Sequence, residues 1–156
     1  MTIALYHSYP ESRGRVAARS ADAREKPAIQ PNYLSVPSDV DALLAGIRLA
    51  RRIFAAPCFK SIATKETLPG ASLASDDELA SYARETGVPG FHLVGTCRMG
   101  GDENSVVDPT LKVRGVERLR VVDASVMPTC TSGNTNAPTI MVAEKGASMI
   151  LNDSRH

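Results

Sequence analysis

Tryptophan is absent and aromatic residues make up only 4% of the 156 residues, which argues against a base-stacking or sugar-stacking platform. Charge of one sign is equally scarce. The net charge is +1, so no strong field draws in nucleic acid or an anionic membrane. Three cysteines, Cys58, Cys97 and Cys130, lie far apart with no Cys-x-x-Cys pair. Such a set forms neither a zinc site nor a disulfide framework, and the expectation is buried, reduced thiols with no bound metal. No apolar stretch approaches the roughly 20 residues of a membrane span. The first ten residues have no basic region and no long apolar run, so they do not read as a signal peptide. Gly-x-Gly-x-x-Gly is missing too. The glycines at Gly95 and at Gly100-Gly101 have the wrong spacing, and no strand–helix unit precedes them.

What is present is the composition of a globular chain, 43% hydrophobic and 22% charged, long enough for one domain or two small lobes. Ile3 to Tyr6 and Arg15 to Ala18 are short strand candidates separated by the turn-like Ser12-Arg13-Gly14. Pro27, Pro31 and Pro37 favour an extended connection over residues 20–37. A helix is expected from Ser38 as N-cap, with Asp41 completing a capping-box-like pair. Val40, Leu43, Leu44, Ile47 and Ala50 form its apolar stripe, continued by Ile53 and Phe54, with Arg48, Arg51 and Arg52 mostly off it. Pro57 stops it. A second helix should start at Ser75, with Glu78 at the capping-box position and Gly87 as C-cap.

Near Gly90 the character changes, and a boundary between residues 1–90 and 91–156 is expected there. Leu119-Arg120-Val121-Val122-Asp123 has the pattern of a buried strand ending in an acid. A loop from Ser125 to Asn136 follows, and then a helix from near Pro138 to about Leu151. That helix is apolar on several faces, which predicts burial on more than one side.

Two constellations carry chemistry. His92 stands just before a glycine-containing loop, Leu93-Val94-Gly95-Thr96-Cys97-Arg98-Met99-Gly100, where an imidazole can sit at the lip of a cleft and exchange protons near neutral pH. Taken alone, such a histidine is more often structural. The strand–loop–helix unit places an acid opposite a helix amino terminus, whose free N–H groups suit a ligand atom that gains negative charge. Asn134-Thr135-Asn136 are equally readable as plain loop and capping residues.

Their joint occurrence is more specific. Ser12-Arg13-Gly14-Arg15-Val16, Pro31-Asn32-Tyr33-Leu34, Gly46 to Arg51, His92 to Gly100, Val107-Asp108-Pro109, Leu119 to Pro128 and Ser132 to Thr139 follow one another in an order and spacing that extend from about residue 8 to residue 150. In these stretches the chain resembles the glucose–methanol–choline oxidoreductases, closest to their choline dehydrogenase-like branch. The resemblance implies an FAD-dependent oxidoreductase acting on the CH–OH group of an alcohol, with hydride transfer to FAD and electrons passed on to a quinone-like acceptor or to oxygen. His92 matches the family's active-site histidine, and Asn136 matches the second active-site position. Asp123 and Ala124 match the segment along the FAD ribityl–pyrophosphate. Asn136, Pro138 and Thr139 match the helix start against the isoalloxazine pyrimidine. In this reading a neutral His92 accepts or shares the hydroxyl proton while Asn136 orients the substrate oxygen.

The implied fold is mixed α+β and α/β. Residues 1–90 would supply part of the substrate-binding lobe and its sheet, and residues 91–156 the last strand and helix of a Rossmann-like FAD-binding lobe. The resemblance covers roughly the last quarter to third of the family pattern and lacks the Gly-x-Gly-x-x-Gly unit that cradles the ADP half of FAD. An amino-terminal FAD-binding partner chain is therefore the expected complement. The alternatives are a non-catalytic remnant or binding module of the same fold and, more remotely, another flavoenzyme class such as an amine oxidase. The default location is cytoplasmic, peripheral to the inner membrane where a quinone is the acceptor.

Overall fold

The computed structural model describes residues 1–154. The chain forms two compact units, Met1–Val88 and Pro89–His156. Among the described residues it combines three α-helices with one small sheet.

In the first unit, β1 (Arg15–Ala17) pairs antiparallel with β2 (Ala28–Gln30) in the register Arg15 to Gln30, Val16 to Ile29 and Ala17 to Ala28. Pro27 and Pro31 bracket β2, so neither ring interrupts the ladder. A Cβ on Gly14 would run into the carbonyl oxygens of Gln30 and Pro31, so only glycine lets the two segments approach this closely. Ile3 to Tyr6, expected as a strand, is not one. That segment is held by its side chains: Leu5 packs on the core formed by Leu44, Ile47 and Leu79, together with Val40, Leu43 and Leu73.

Helix α1 (Pro37–Phe54) starts one residue before the expected cap, with Pro37 in its first turn and no side chain capping it. The Ser38 hydroxyl instead donates to Glu11 Oε2 at 2.9 Å. The acid that matters is Asp39 rather than Asp41. It is buried, and its two carboxylate oxygens accept the amides of Glu11 and Ser12, both at 2.8 Å. Arg51 is part-buried and pairs with Glu66 at 2.9 Å while donating to the carbonyls of Gly70 and Leu73. Helix α2 (Asp76–Thr86) has the complete Ser75–Glu78 capping box and ends at Gly87.

In the second unit, α3 (Asn136–Asp153) lays Val142 and Gly146 on a core of Val107, Leu111 and Val126, flanked by Met99, Val113, Val121 and Val122. Gly146 approaches Val122 so closely that a Cβ there would collide with its Cγ1. Lys112 and Arg120 both grip Asp153 near the carboxy end of α3, at 2.7 and 2.6 Å. The Lys112 and Arg120 hydrogen bonds hold the Asp153 carboxyl down at about 2.

Three expectations are corrected here. Leu119–Asp123 is not a strand: it makes only an isolated antiparallel bridge, Lys112 to Arg120, and Leu119 is half exposed. An apolar run becomes a strand only beside other strands, and this segment has a lone bridge for company. Helix α3 is buried on one side, not several, with Ile140 and Met141 54% and 61% exposed. Lastly, the thiols are free but not buried: Cys58 is exposed, while Cys97 and Cys130 are half-buried.

Candidate functional site

The predicted site residues all fall in the second unit, and a hydrogen-bonded framework brings them together. A short 3-10 turn, Ala124–Val126, begins at Asp123, whose carboxylate accepts the Ser125 amide at 2.8 Å and the Ser125 hydroxyl at 2.5 Å. Asp123 thus spends one oxygen on its own turn while remaining exposed. The 3-10 turn then receives the His92 loop: the amides of Gly95 and Cys97 donate to the Ser125 carbonyl at 3.0 Å, and that of Met99 donates to Val126 at 2.8 Å. Gly95 has φ +90, a conformation that glycine adopts without strain. The Arg98 guanidinium grips Asp102 at 2.7 and 2.9 Å and holds that carboxyl at about 2, which braces the far end of the loop.

His92 itself is half-buried, and its Nδ1 lies 2.9 Å from Thr135 Oγ1 and 3.3 Å from the Thr135 amide nitrogen. The Cys130 thiol donates to the His92 carbonyl at 3.2 Å. Phe91, immediately before it, has φ +60, a left-handed backbone at an aromatic residue that is 87% exposed. Thr135 is buried and is the residue from which α3 springs. Asn136, the other predicted active-site residue, follows it directly as the exposed first residue of α3. Pro138 and Thr139 complete the first turn, with the Thr139 hydroxyl donating back to the Thr135 carbonyl at 2.7 Å.

The helix start is open. Because the Thr135 hydroxyl faces His92, no side chain caps α3, and Asn136 and Ala137 are exposed. Unsatisfied amides at a helix start favour an electron-rich ligand edge. The backbone donors at Asn136 and Ala137 are of the kind that suits an electron-rich ligand edge, and Asp123 is exposed at the turn that precedes the loop leading to α3. Among the described residues, two concave surfaces, one lined by Arg13, Gly14, Arg15, Gln30 and Asn32 and the other by residues 64–67 and 69–72, belong to the first unit and include none of these residues.

Sequence reasoning missed Thr135 and Cys130 as partners of His92. Thr135 looked like one more loop residue beside Asn136, and Cys130 like an inert thiol. The only signal available was the hydroxyl placed one residue before Asn136, which does not by itself announce a partner 43 positions away.

Comparison with known proteins places this geometry in a family. Residues 10–143 match the profile described as GMC oxidoreductase, and the chain belongs to that family. It is 48% identical over 150 residues to an alcohol dehydrogenase (acceptor) from Pseudomonas putida, covering 96% of this chain and 27% of that protein. It is 45% identical over 141 residues to the mitochondrial choline dehydrogenase of Homo sapiens, covering 89% of this chain and 24% of that one. An FAD-dependent oxidoreductase from Chaetomium thermophilum superposes with a TM-score of 0.86 at 34% identity, over 96% of this chain and 26% of its own. The chain thus spans about a quarter of the length of the relatives it matches.

Proposed function

We propose that this chain carries the catalytic pair of an FAD-dependent alcohol oxidoreductase, with His92 and Asn136 acting on the CH–OH group. The observation that carries the reading is the His92–Thr135 contact, which sets the imidazole one residue from Asn136 at an uncapped helix start. Asp123 and Ala124 would hold the ribityl–pyrophosphate of FAD, and Asn136, Pro138 and Thr139 its pyrimidine edge. When bound, FAD supplies the two-electron acceptor for the carbinol carbon. The half-buried His92 shares the hydroxyl proton of the substrate. The Asn136 amide hydrogen-bonds the substrate oxygen and fixes its orientation, which lowers the entropic part of the barrier. The open α3 amides favour negative charge that gathers at the edge they face.

The substrate class is a small primary or secondary alcohol. The acceptor is a quinone-like molecule or oxygen, and the nucleotide-binding part is supplied by an amino-terminal FAD-binding segment or partner. In this scheme Met1–Val88 belongs to the substrate-binding lobe, and the second unit completes a Rossmann-like FAD lobe.

The test is His92→Ala in the enzyme assembled with that complement. Turnover should fall by at least about 100-fold with flavin absorbance retained, the scale of a lost general acid–base group. Parallel loss of flavin and turnover would make His92 structural. A stable complex with the amino-terminal partner that holds no flavin would favour a non-catalytic binding module instead.

A further inference from the structure

We propose that Arg13 and Arg15, with Gln30 beside them, bind the phosphate of a small phosphate monoester. The site belongs to the first unit, and the proposal goes beyond the alcohol-oxidation reading without depending on it. The register of the small sheet creates the arrangement. Arg15 pairs directly with Gln30, so the two side chains stand on one face of the ladder. Two residues earlier, and by strand alternation on that same face, Arg13 falls opposite Asn32, whose Nδ2 donates to the Arg13 carbonyl at 3.0 Å. Gly14, between the two arginines, lets the chain close on the Gln30 and Pro31 carbonyls. These five residues, Arg13, Gly14, Arg15, Gln30 and Asn32, line a concavity of about 350 Å³ that includes no carboxylate.

The guanidinium of Arg13 is held in place and has one edge to offer. Its Nη1 donates to the Pro10 and Ser12 carbonyls at 2.7 and 3.1 Å, which fixes the group. Its Nε and Nη2, the parallel donor pair that grips an oxyanion at two points, have no acceptor among the described residues. In Arg24 and Arg51 the same edge is taken by Asp22 and Glu66. The neighbouring carboxylates are engaged elsewhere. Asp22 pairs with Arg24, Glu25 accepts from Ser20 and Glu11 accepts from Ser38, and among the described residues none forms an ion pair with Arg13 or Arg15. Two cations side by side favour a dianion. A tetrahedral phosphate has two oxygens for the Arg13 fork and others for Arg15 and the Gln30 amide, whereas both oxygens of a carboxylate are spent on the fork. The concavity leaves room beside the phosphate for the organic group it esterifies. Asn32 is a brace rather than a ligand, since its Nδ2 is committed to the Arg13 carbonyl and to Ser35 Oγ at 3.1 Å.

The experiment titrates the full 156-residue chain with inorganic phosphate and with glycerol phosphate at about pH 7.5, where phosphate is mostly a dianion. Ionic strength is kept low and constant, because salt screens exposed charges. Arginine Nε–H signals and the amides of Gly14, Arg15 and Gln30 are followed by nitrogen–proton spectra. Both probes should give saturable shifts centred on these residues, and acetate should bind at least about tenfold more weakly, the worth of one charge-assisted hydrogen bond. Arg15→Gln removes one exposed charge, and Arg13→Lys keeps the charge but loses the fork. Each should weaken phosphate binding by about tenfold or more. Arg13 also ties down Pro10 and Ser12, so Arg15→Gln decides the matter if Arg13→Lys alters the helix content. Shifts that do not saturate, that appear equally at every arginine, or that persist at wild-type affinity in Arg15→Gln overturn the proposal. An equal response to acetate overturns the choice of phosphate, and failure of glycerol phosphate to bind overturns the monoester. None of these outcomes bears on His92→Ala, so the alcohol-oxidation reading and this site can each fail alone.

Discussion

At the scale of single residues, Gly146 sets a contest between two effects of opposite sign. Alanine in place of a mid-helix glycine stabilises a helix by about 1 kcal/mol, so propensity alone favours Gly146→Ala. Packing opposes it: the new Cβ collides with Val122 Cγ1 and also meets Val122 Cγ2 at 3.3 Å and Leu111 Cδ1 at 3.4 Å. Valine is stiff about χ1 and cannot swing aside as a long side chain would. Overpacking of this kind costs about 1–3 kcal/mol, so packing should win. Gly146→Ala is expected to destabilise the second unit, read by denaturant unfolding or by amide exchange along α3. Adding Val122→Ala removes the obstructing methyls, and the double variant should lose less than the sum of the two single changes. Simple additivity would mean that α3 does not lie on Val122 as described.

At the scale of elements, the amino end of α1 is tied down by one carboxylate. Burial pushes the Asp39 carboxyl up, but the Ser12 side chain, the amides of Glu11 and Ser12 and the nearby His7 push it down and prevail, leaving it below the ordinary value. A carboxylate whose folded value is depressed contributes stability above its unfolded value, about 3.9, and loses it as pH falls through the lower folded value. The first unit should therefore weaken below about pH 4. Asp39→Asn should cost on the order of 1.5–3 kcal/mol at neutral pH, the worth of hydrogen bonds to a charged group, and should flatten the acid limb. Unfolding midpoints measured between about pH 2 and 7 check both, and an acid limb of wild-type steepness in Asp39→Asn would refute the assignment. Asp39 also shows what kind of signal a sequence carries. The Ser75–Glu78 capping box was legible because cap and partner lie three residues apart. Asp39 was not, since its partners at Glu11 and Ser12 are set by the fold, and the nearer Asp41 fitted the local rule better. The same reason separates α2, correctly expected at both ends, from Leu119–Asp123, whose strand state depends on neighbours that no local pattern encodes. The site divides likewise. His92, Asp123 and Asn136 were singled out by motif, but the Thr135 contact that joins His92 to the helix start is a tertiary fact.

At the scale of the whole molecule, the second unit presents apolar side chains that this chain leaves uncovered. Phe91 is 87% exposed, Leu93 64%, Ile140 54%, Met141 61% and Leu151 60%. Several of these flank the predicted site: Phe91 and Leu93 on either side of His92, Ile140 and Met141 in the first turns of α3. Relatives about four times as long have further chain to set against such a surface, whereas this chain alone has a net charge of only +1 and little mutual repulsion to keep copies apart. The chain by itself is therefore expected to self-associate, with a sedimentation coefficient that rises with concentration. Ile140→Glu combined with Met141→Lys changes two exposed side chains without touching Val142 or Gly146, the residues that anchor α3, so it should raise the monomer fraction while leaving helix content unchanged. The part of a longer relative that this chain does not span, added to wild type, should suppress the association in the same way by covering the surface. A sharp monomer peak at every concentration, with cooperative unfolding, would mean that these side chains need no cover and that the unit is complete as it stands.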